Sequence, residues 1–199
     1  MEAELLAQKV MGRVFVELEA SGRHVHLTKA QAQTLFGHGL TPKRPLSQPG
    51  QYLAVERVTV VGPKGEFENV AVLGPERPEA QVEISLTDSR TLGLQVPVQP
   101  SGQVAGSPGA VLKGPRGQVV LDRGVIAAQR HIHMTPTAAR LQGVRDKQVV
   151  KLQTYTRRPL IFEDVLVRVS DDFATFAHLD YDEANACGFR KGDLGRILP

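Results

Sequence analysis

Cysteine is nearly missing: the 199 residues hold one, Cys187, and there is no tryptophan. A single thiol excludes an intramolecular disulfide framework and any zinc site of the CxxC kind. Long apolar runs are missing too. Nothing approaches the roughly 20 residues of a transmembrane helix. The N-terminal MEAELLAQKVMGRVF carries acidic residues and no apolar h-region, so it does not read as a secretory signal. No block of Lys or Arg stands out. The 24 basic and 21 acidic residues are interspersed and leave a net charge of +3, which disfavours a nucleic-acid tail. No GxSxG elbow and no Gly-rich phosphate loop occurs, so neither an acyl-enzyme through Ser nor Walker-type nucleotide binding has support. These absences point to a cytoplasmic protein without nucleic-acid or membrane partners. An anionic small molecule stays open as a ligand.

Glycine and proline are plentiful, at 19 and 13, and hydrophobic residues make up 41%. Val58–Val61 is followed by Gly62-Pro63-Lys64-Gly65. Ala110-Val111-Leu112 and Val119-Val120-Leu121 flank Lys113-Gly114-Pro115-Arg116-Gly117. Each is a strand–turn–strand pattern. Only short helices are expected, over about 2–11, 29–36, 136–142 and 182–187. The fold class is mainly β, of the kind that builds compact barrels or sandwiches.

An internal repeat organises the chain. Arg23-His24-Val25-His26-Leu27-Thr28 returns as Arg130-His131-Ile132-His133-Met134-Thr135, an offset of 107 positions (24 to 131). Thr28 and Thr135 each read as the N-cap of a short helix, the second with Pro136 at its first position. Phe67-Glu68-Asn69-Val70 returns as Phe162-Glu163-Asp164-Val165 at an offset of 95 (67 to 162). The first copy thus carries about a dozen extra residues, expected within Leu40–Tyr52. In the 95 register Gly93 falls opposite Gly188 and Glu83 opposite His178. The repeat predicts two related β domains, about 14–100 and 107–199, with 1–13 as a short N-terminal helix. A Gly/Ser/Pro-rich linker runs over 99–108. Which domain owns the strands nearest the linker is open, and exchange of strands between the halves is allowed.

Four of the six histidines lie in the two HxH pairs. In a strand, residues i and i+2 share a face, so each pair can converge on one ion. Zinc accepts imidazole nitrogen and carboxylate oxygen, and its catalytic sites use three protein ligands with one open position. Each half offers such a set: His24, His26 and Glu83, then His131, His133 and His178. A cupin would need a Glu shortly after the pair, where this chain has Lys29-Ala30-Gln31 and Pro136-Thr137-Ala138. His38 has no counterpart and reads as a surface histidine. Cys187 reads as a small buried thiol. Arg23 and Arg130 face away from the pairs, so a structural role and ligand contact stay equally open. Arg77, in the loop-like Gly74-Pro75-Glu76-Arg77-Pro78, suits either a tetrahedral oxyanion or a salt bridge with Glu76 or Glu79.

The chain resembles the PduL-type phosphotransacylases, also called phosphate propanoyltransferases. The resemblance runs from about Val14 to Leu198. It rests on Arg23–Thr28, Gly74–Arg77, Gln81–Ser85, Arg130–Thr135 and His178–Asn185. It implies two β-barrel domains with a dinuclear zinc site between them. It implies two zinc ions per chain, one held by His24, His26 and Glu83 and one by His131, His133 and His178, with Arg77 on phosphate as a catalytic residue. The implied reaction interconverts a short-chain acyl-CoA, acetyl or propanoyl, plus phosphate with acyl phosphate plus CoA. Direct attack by phosphate held by zinc and Arg77 would need no protein nucleophile. The CoA-binding residues are not identified. A homodimer is expected, with the bacterial microcompartment lumen as the alternative location. The competing readings are a zinc-dependent thioester or phosphoester hydrolase and a non-catalytic zinc-stabilised binding module.

Overall fold

The structure, a computed structural model, describes residues 10–198. Most of the expected helix over 2–11, with Leu5 and Leu6, lies outside the described residues; residues 10–14 are helical. Along the chain follow strands β1 (Val16–Ser21) and β2 (His24–His26), helix α1 (Lys29–Phe36), and strands β3 (Pro42–Pro45), β4 (Tyr52–Val61), β5 (Glu66–Gly74) and β6 (Gln81–Glu83). Next come helix α2 (Leu86–Leu92) and strands β7 (Val98–Gln99), β8 (Ala110–Lys113), β9 (Gln118–Leu121), β10 (Val125–Ala128) and β11 (His131–Met134). Helix α3 (Pro136–Leu141), strands β12 (Val149–Tyr155), β13 (Ile161–Val169) and β14 (Phe176–Asp180), helix α4 (Tyr181–Cys187) and strand β15 (Leu194–Leu198) complete the order. No helix among the described residues is long and apolar enough to cross a membrane.

The strands build two compact units. One comprises the residues up to Ser21 together with those from Arg130 on; the other is Gly22–Gln129. The first is a closed barrel of order β1-β14-β11-β13-β12-β15. Period-two alternation fills it. Val16 and Leu18 of β1, Ile132 and Met134 of β11, Ala177 and Leu179 of β14, and Leu152 of β12 form one buried core. The second unit is a nine-stranded sheet of order β7-β10-β6-β2-β5-β4-β8-β9, with β3 pairing only β4. Val25, Leu27, Val72, Val82, Ile84 and Leu112 line its core.

These units differ from the boundaries 14–100 and 107–199. β1 belongs to the barrel, and β8, β9 and β10 belong to the Gly22–Gln129 unit, where β8 pairs with β4. The strands nearest the linker, whose ownership was open, thus go to that unit. β1 pairs in parallel with β14, and β10 pairs in parallel with β6. β1 and β10, the strands that precede the two HxH pairs, occupy equivalent places in the 107 register (19 to 126), and each lies in the unit that does not hold the HxH pair following it. The segment 99–108 is also more than a linker: β7 pairs with β10, and Ser101 reaches the side chains of β6. The extra residues of the first half do fall at β3, which has no partner element between α3 and β12.

The helices are fixed by their caps. The Thr28 hydroxyl accepts from the Gln31 N–H while the Gln31 side chain accepts from the Thr28 N–H, a reciprocal capping box. Thr135 caps α3 with Pro136 at its start; α3 ends at Leu141, one residue before the expected end, with Gln142 as its cap. Asp180 caps α4, which therefore begins at Tyr181 rather than 182. Helix α2 is an addition to the expected set. Ser85 and Asp88 form its capping box and Gly93 ends it at φ +74°. Gly188 ends α4 at φ +67°, and at both positions the left-handed backbone favours glycine. The paired glycines therefore mark paired helices.

Candidate metal centres

The HxH histidines lie on the sheet faces opposite the two cores. Val25 and Leu27 point into one core and Ile132 and Met134 into the other, so alternation turns the imidazoles the other way. They are nevertheless buried: His24 is 5% exposed, His26 2%, His131 9% and His133 7%. Short antiparallel partners bring the third donors alongside. His24 stands opposite Glu83 across β2 and β6, and His131 stands opposite His178 across β11 and β14. In each of the two groups the donor atoms all lie within 4.8 Å of one another. Each imidazole and carboxylate of the repeat is thus placed in the group that its spacing predicts.

The donor chemistry fits a divalent cation. His24 Nδ1 sits 2.8 Å from the Gly22 carbonyl oxygen, which can only accept, so Nδ1 carries a proton. That turns Nε2 towards the Glu83 carboxylate at 3.6 Å. A neutral ring would present a lone pair to an anion there, and a cation between the two removes the conflict. Burial disfavours the charged ring of His24, but Glu83 outweighs it and holds its pKa above the ordinary value, with Arg77 opposing. Burial pushes His26 well below its ordinary value, helped by the charges of His24 and Arg77. Burial works against the Glu83 carboxylate too, yet His24 overrides it and keeps Glu83 ionised. An ionised Glu83 carboxylate beside the neutral His26 imidazole offers donors for zinc or a similar ion.

Glu83 is held from behind. The Ser101 hydroxyl donates to Glu83 Oε1 at 2.7 Å, and the Gln81 amide donates to the same oxygen and to Ser101. The Gly102 N–H donates to Gln81 Oε1 at 2.8 Å. This leaves Glu83 Oε2 directed at His24. Nothing in the linker-like composition of 99–108 announces Ser101 as part of a site.

The other group is built of rings. His131 and His178 stack with centroids 5.1 Å apart, and His133 lies 4.9 Å from His178. Phe173 packs on His133 at 4.2 Å. Glu19 of β1 approaches His178 Nδ1 at 3.5 Å.

Arg77 is half-buried, and its backbone N–H donates to the Leu27 carbonyl at 2.8 Å. Its positive charge disfavours protonation of both His24 and His26, which places the guanidinium beside that group. Of the two neighbouring carboxylates, Glu76 accepts from the Leu40 N–H and Glu79 pairs with Arg123. Arg23 and Arg130 are each braced by a carboxylate and an aromatic ring. Arg23 makes a bidentate pair with Asp88, at 2.7 and 3.0 Å, and lies over the Phe67 ring at 4.1 Å. Arg130 pairs with Glu183 at 3.0 Å and lies over Phe162 at 5.5 Å. Phe67 and Asp88 fall opposite Phe162 and Glu183 in the 95 register, so the whole bracket repeats. Burial and the neighbouring Asp180 push Glu183 up to about 7, although Arg130 opposes. His38 is exposed beside Glu56, and Cys187 is fully buried with its pKa raised by burial.

A family model described as phosphate propanoyltransferase matches residues 17–190. The chain is 51% identical over 197 residues to a phosphate propanoyltransferase of Clostridioides difficile, covering 98% of this chain and 94% of that protein. It is 51% identical over 197 residues to one of Listeria monocytogenes, with 98% and 92% covered. It is 55% identical over 181 residues to one of Thermotoga maritima, with 89% and 86% covered. With a matching model across both units and relatives of this similarity along nearly the whole length, the chain belongs to the phosphate propanoyltransferase family.

Proposed function

We propose that the protein is a phosphate acyltransferase that interconverts a short-chain acyl-CoA, acetyl or propanoyl, plus phosphate with acyl phosphate plus CoA. The observation that carries this reading is the pair of three-donor groups at equivalent positions of the repeat, one with Arg77 beside it. Family membership supplies the reaction class. His24, His26 and Glu83 would hold one divalent ion and His131, His133 and His178 another, two zinc ions per chain. Ions bound there supply Lewis-acid polarisation of a thioester carbonyl and stabilisation of a departing thiolate.

The chain's own part is to bind and orient. Arg77 offers a planar fork of N–H donors that matches two phosphate oxygens. Its anchoring to Leu27 through the backbone limits the motion of that fork. A phosphate oxygen forms the new C–O bond to the acyl carbon while the C–S bond breaks and its electron pair leaves with sulfur. In reverse, the CoA thiolate displaces phosphate. No protein nucleophile is required, and Cys187 stays buried outside the chemistry. Half-buried Arg77 and buried donors give a partly dehydrated setting in which charge stabilisation counts for more than in water. A homodimeric, cytoplasmic enzyme completes the reading, testable by light scattering and cell fractionation.

The test is thiol release from acetyl-CoA or propanoyl-CoA, with and without phosphate, alongside metal analysis of the same sample. Phosphate-dependent release with about two divalent ions per chain is the expected result. Release independent of phosphate would make the protein a hydrolase. No release from metal-replete protein would make it a binding module.

A further inference from the structure

The two groups differ in the strand that lies behind the third donor. Across the barrel, His131, His178 and Glu19 stand in one row over β11, β14 and β1. Across the other sheet, His24, Glu83 and Ile126 stand in the matching row over β2, β6 and β10. Glu19 and Ile126 are equivalent in the 107 register, on β1 and β10. Each row therefore contains one carboxylate. In one row it is the third donor itself, backed by the apolar Ile126, which is fully buried. In the other it stands one strand further back, behind a histidine.

We infer that Glu19 is a positioning residue for His178: its carboxylate faces Nδ1, holds the proton there, and leaves Nε2 unprotonated for a metal ion shared with His131 and His133. A carboxylate behind a ligating imidazole fixes the tautomer and ring orientation and raises ligand basicity. Its charge also gives the three-histidine group the same formal complement as the group that contains Glu83. The reciprocal choice at position 126 follows from the same electrostatics. A second carboxylate beside the already ionised Glu83 would repel it, and an aliphatic residue does not. The placement of β1 in the barrel is what sets Glu19 beside His178, because β1 lies next to β14 there rather than next to β6. This inference rests on the reading that His131, His133 and His178 hold a metal ion.

The experiment is competition for Zn²⁺ between the purified, metal-loaded protein and a chromogenic chelator, with thermal melting of the same samples. His178→Ala identifies which of the two equivalents belongs to the three-histidine group. Glu19→Gln is expected to weaken that equivalent by roughly 10- to 100-fold, leaving the other equivalent unchanged. Glu19→Asp, which keeps the charge, is expected to recover part of the loss; a packing role would instead favour the isosteric Gln. Glu19→Ala carries the expectation of Glu19→Gln and replaces it if that variant does not fold. Glu17→Gln, on the same strand face, controls for general charge loss. Equal retention of both equivalents in wild type and Glu19→Gln overturns the inference and leaves the metal reading standing, as does equal weakening of both. If His178→Ala loses no equivalent, the reading beneath the inference falls, and the inference with it.

Discussion

The two candidate metal centres share a backbone plan and differ in chemistry. Each sets an HxH strand against a short antiparallel strand carrying the third donor, and each braces the preceding arginine against a carboxylate near the start of a helix. Yet the Gly22–Gln129 centre uses a carboxylate clamped by Ser101 and Gln81, and the barrel centre uses a third imidazole with Glu19 behind it. The brackets diverge too. Arg23 and Asp88 meet in a bidentate pair, whereas Glu183 is pushed up to about 7 and meets Arg130 through one short contact. The repeat gives both halves the same geometry of ligand positions. The residues at single register positions, Glu83 opposite His178 and Glu19 opposite Ile126, distribute charge differently between the halves.

The largest expected effect breaks the symmetry outright. His131→Ala should abolish turnover and remove about one metal ion per chain, read by elemental analysis and the thiol-release assay. Turnover retained without that ion would show the barrel centre to be dispensable. The next effect belongs to the other centre alone. Arg77→Ala should lower kcat/KM for phosphate by about 10²–10³-fold while leaving metal content intact. Arg77→Lys should recover little of it, because a point charge does not reproduce the planar fork. An unchanged phosphate dependence would remove Arg77 from the anion site.

Much of this comparison is legible in the sequence. The ligand spacing survives because a strand's period of two and the 95 and 107 offsets are both local properties of sequence. The placement of β1 and β10 is not, since a strand's own alternation is satisfied by whichever core it meets. Val16 and Leu18 would read identically in either unit. Helix α2 was readable in principle. Ser85 followed three residues later by Asp88, with Gly93 beyond, is a capping signature of the same kind that marks α1. Ser101 left no trace, because its role comes from a loop's path rather than from any pattern.

The brackets give the next sharpening of the comparison. Arg23→Ala would leave Asp88, 6% exposed, without its bidentate partner. The expected loss is about 1–3 kcal/mol, read from urea unfolding at pH 7. Arg130→Ala should cost less at the same pH, because Glu183 can remain neutral there. Equal losses would erase the difference between the halves. The residual distinction is the titration of Glu183 itself. Its pKa is raised in the folded protein to about 7 from an ordinary 4.5. Between these values the folded state keeps a proton that the unfolded chain has released. Stability from this group is therefore complete below about 4.5, falls as pH rises, and is lost once pH passes about 7. Glu183→Gln keeps an oxygen to accept from the Asp180 N–H and cannot ionise. Its stability relative to wild type should rise steadily from pH 4.5 to 7 and then level off. A difference independent of pH would mean that Arg130 holds Glu183 ionised throughout, and the two brackets would then be electrostatically alike.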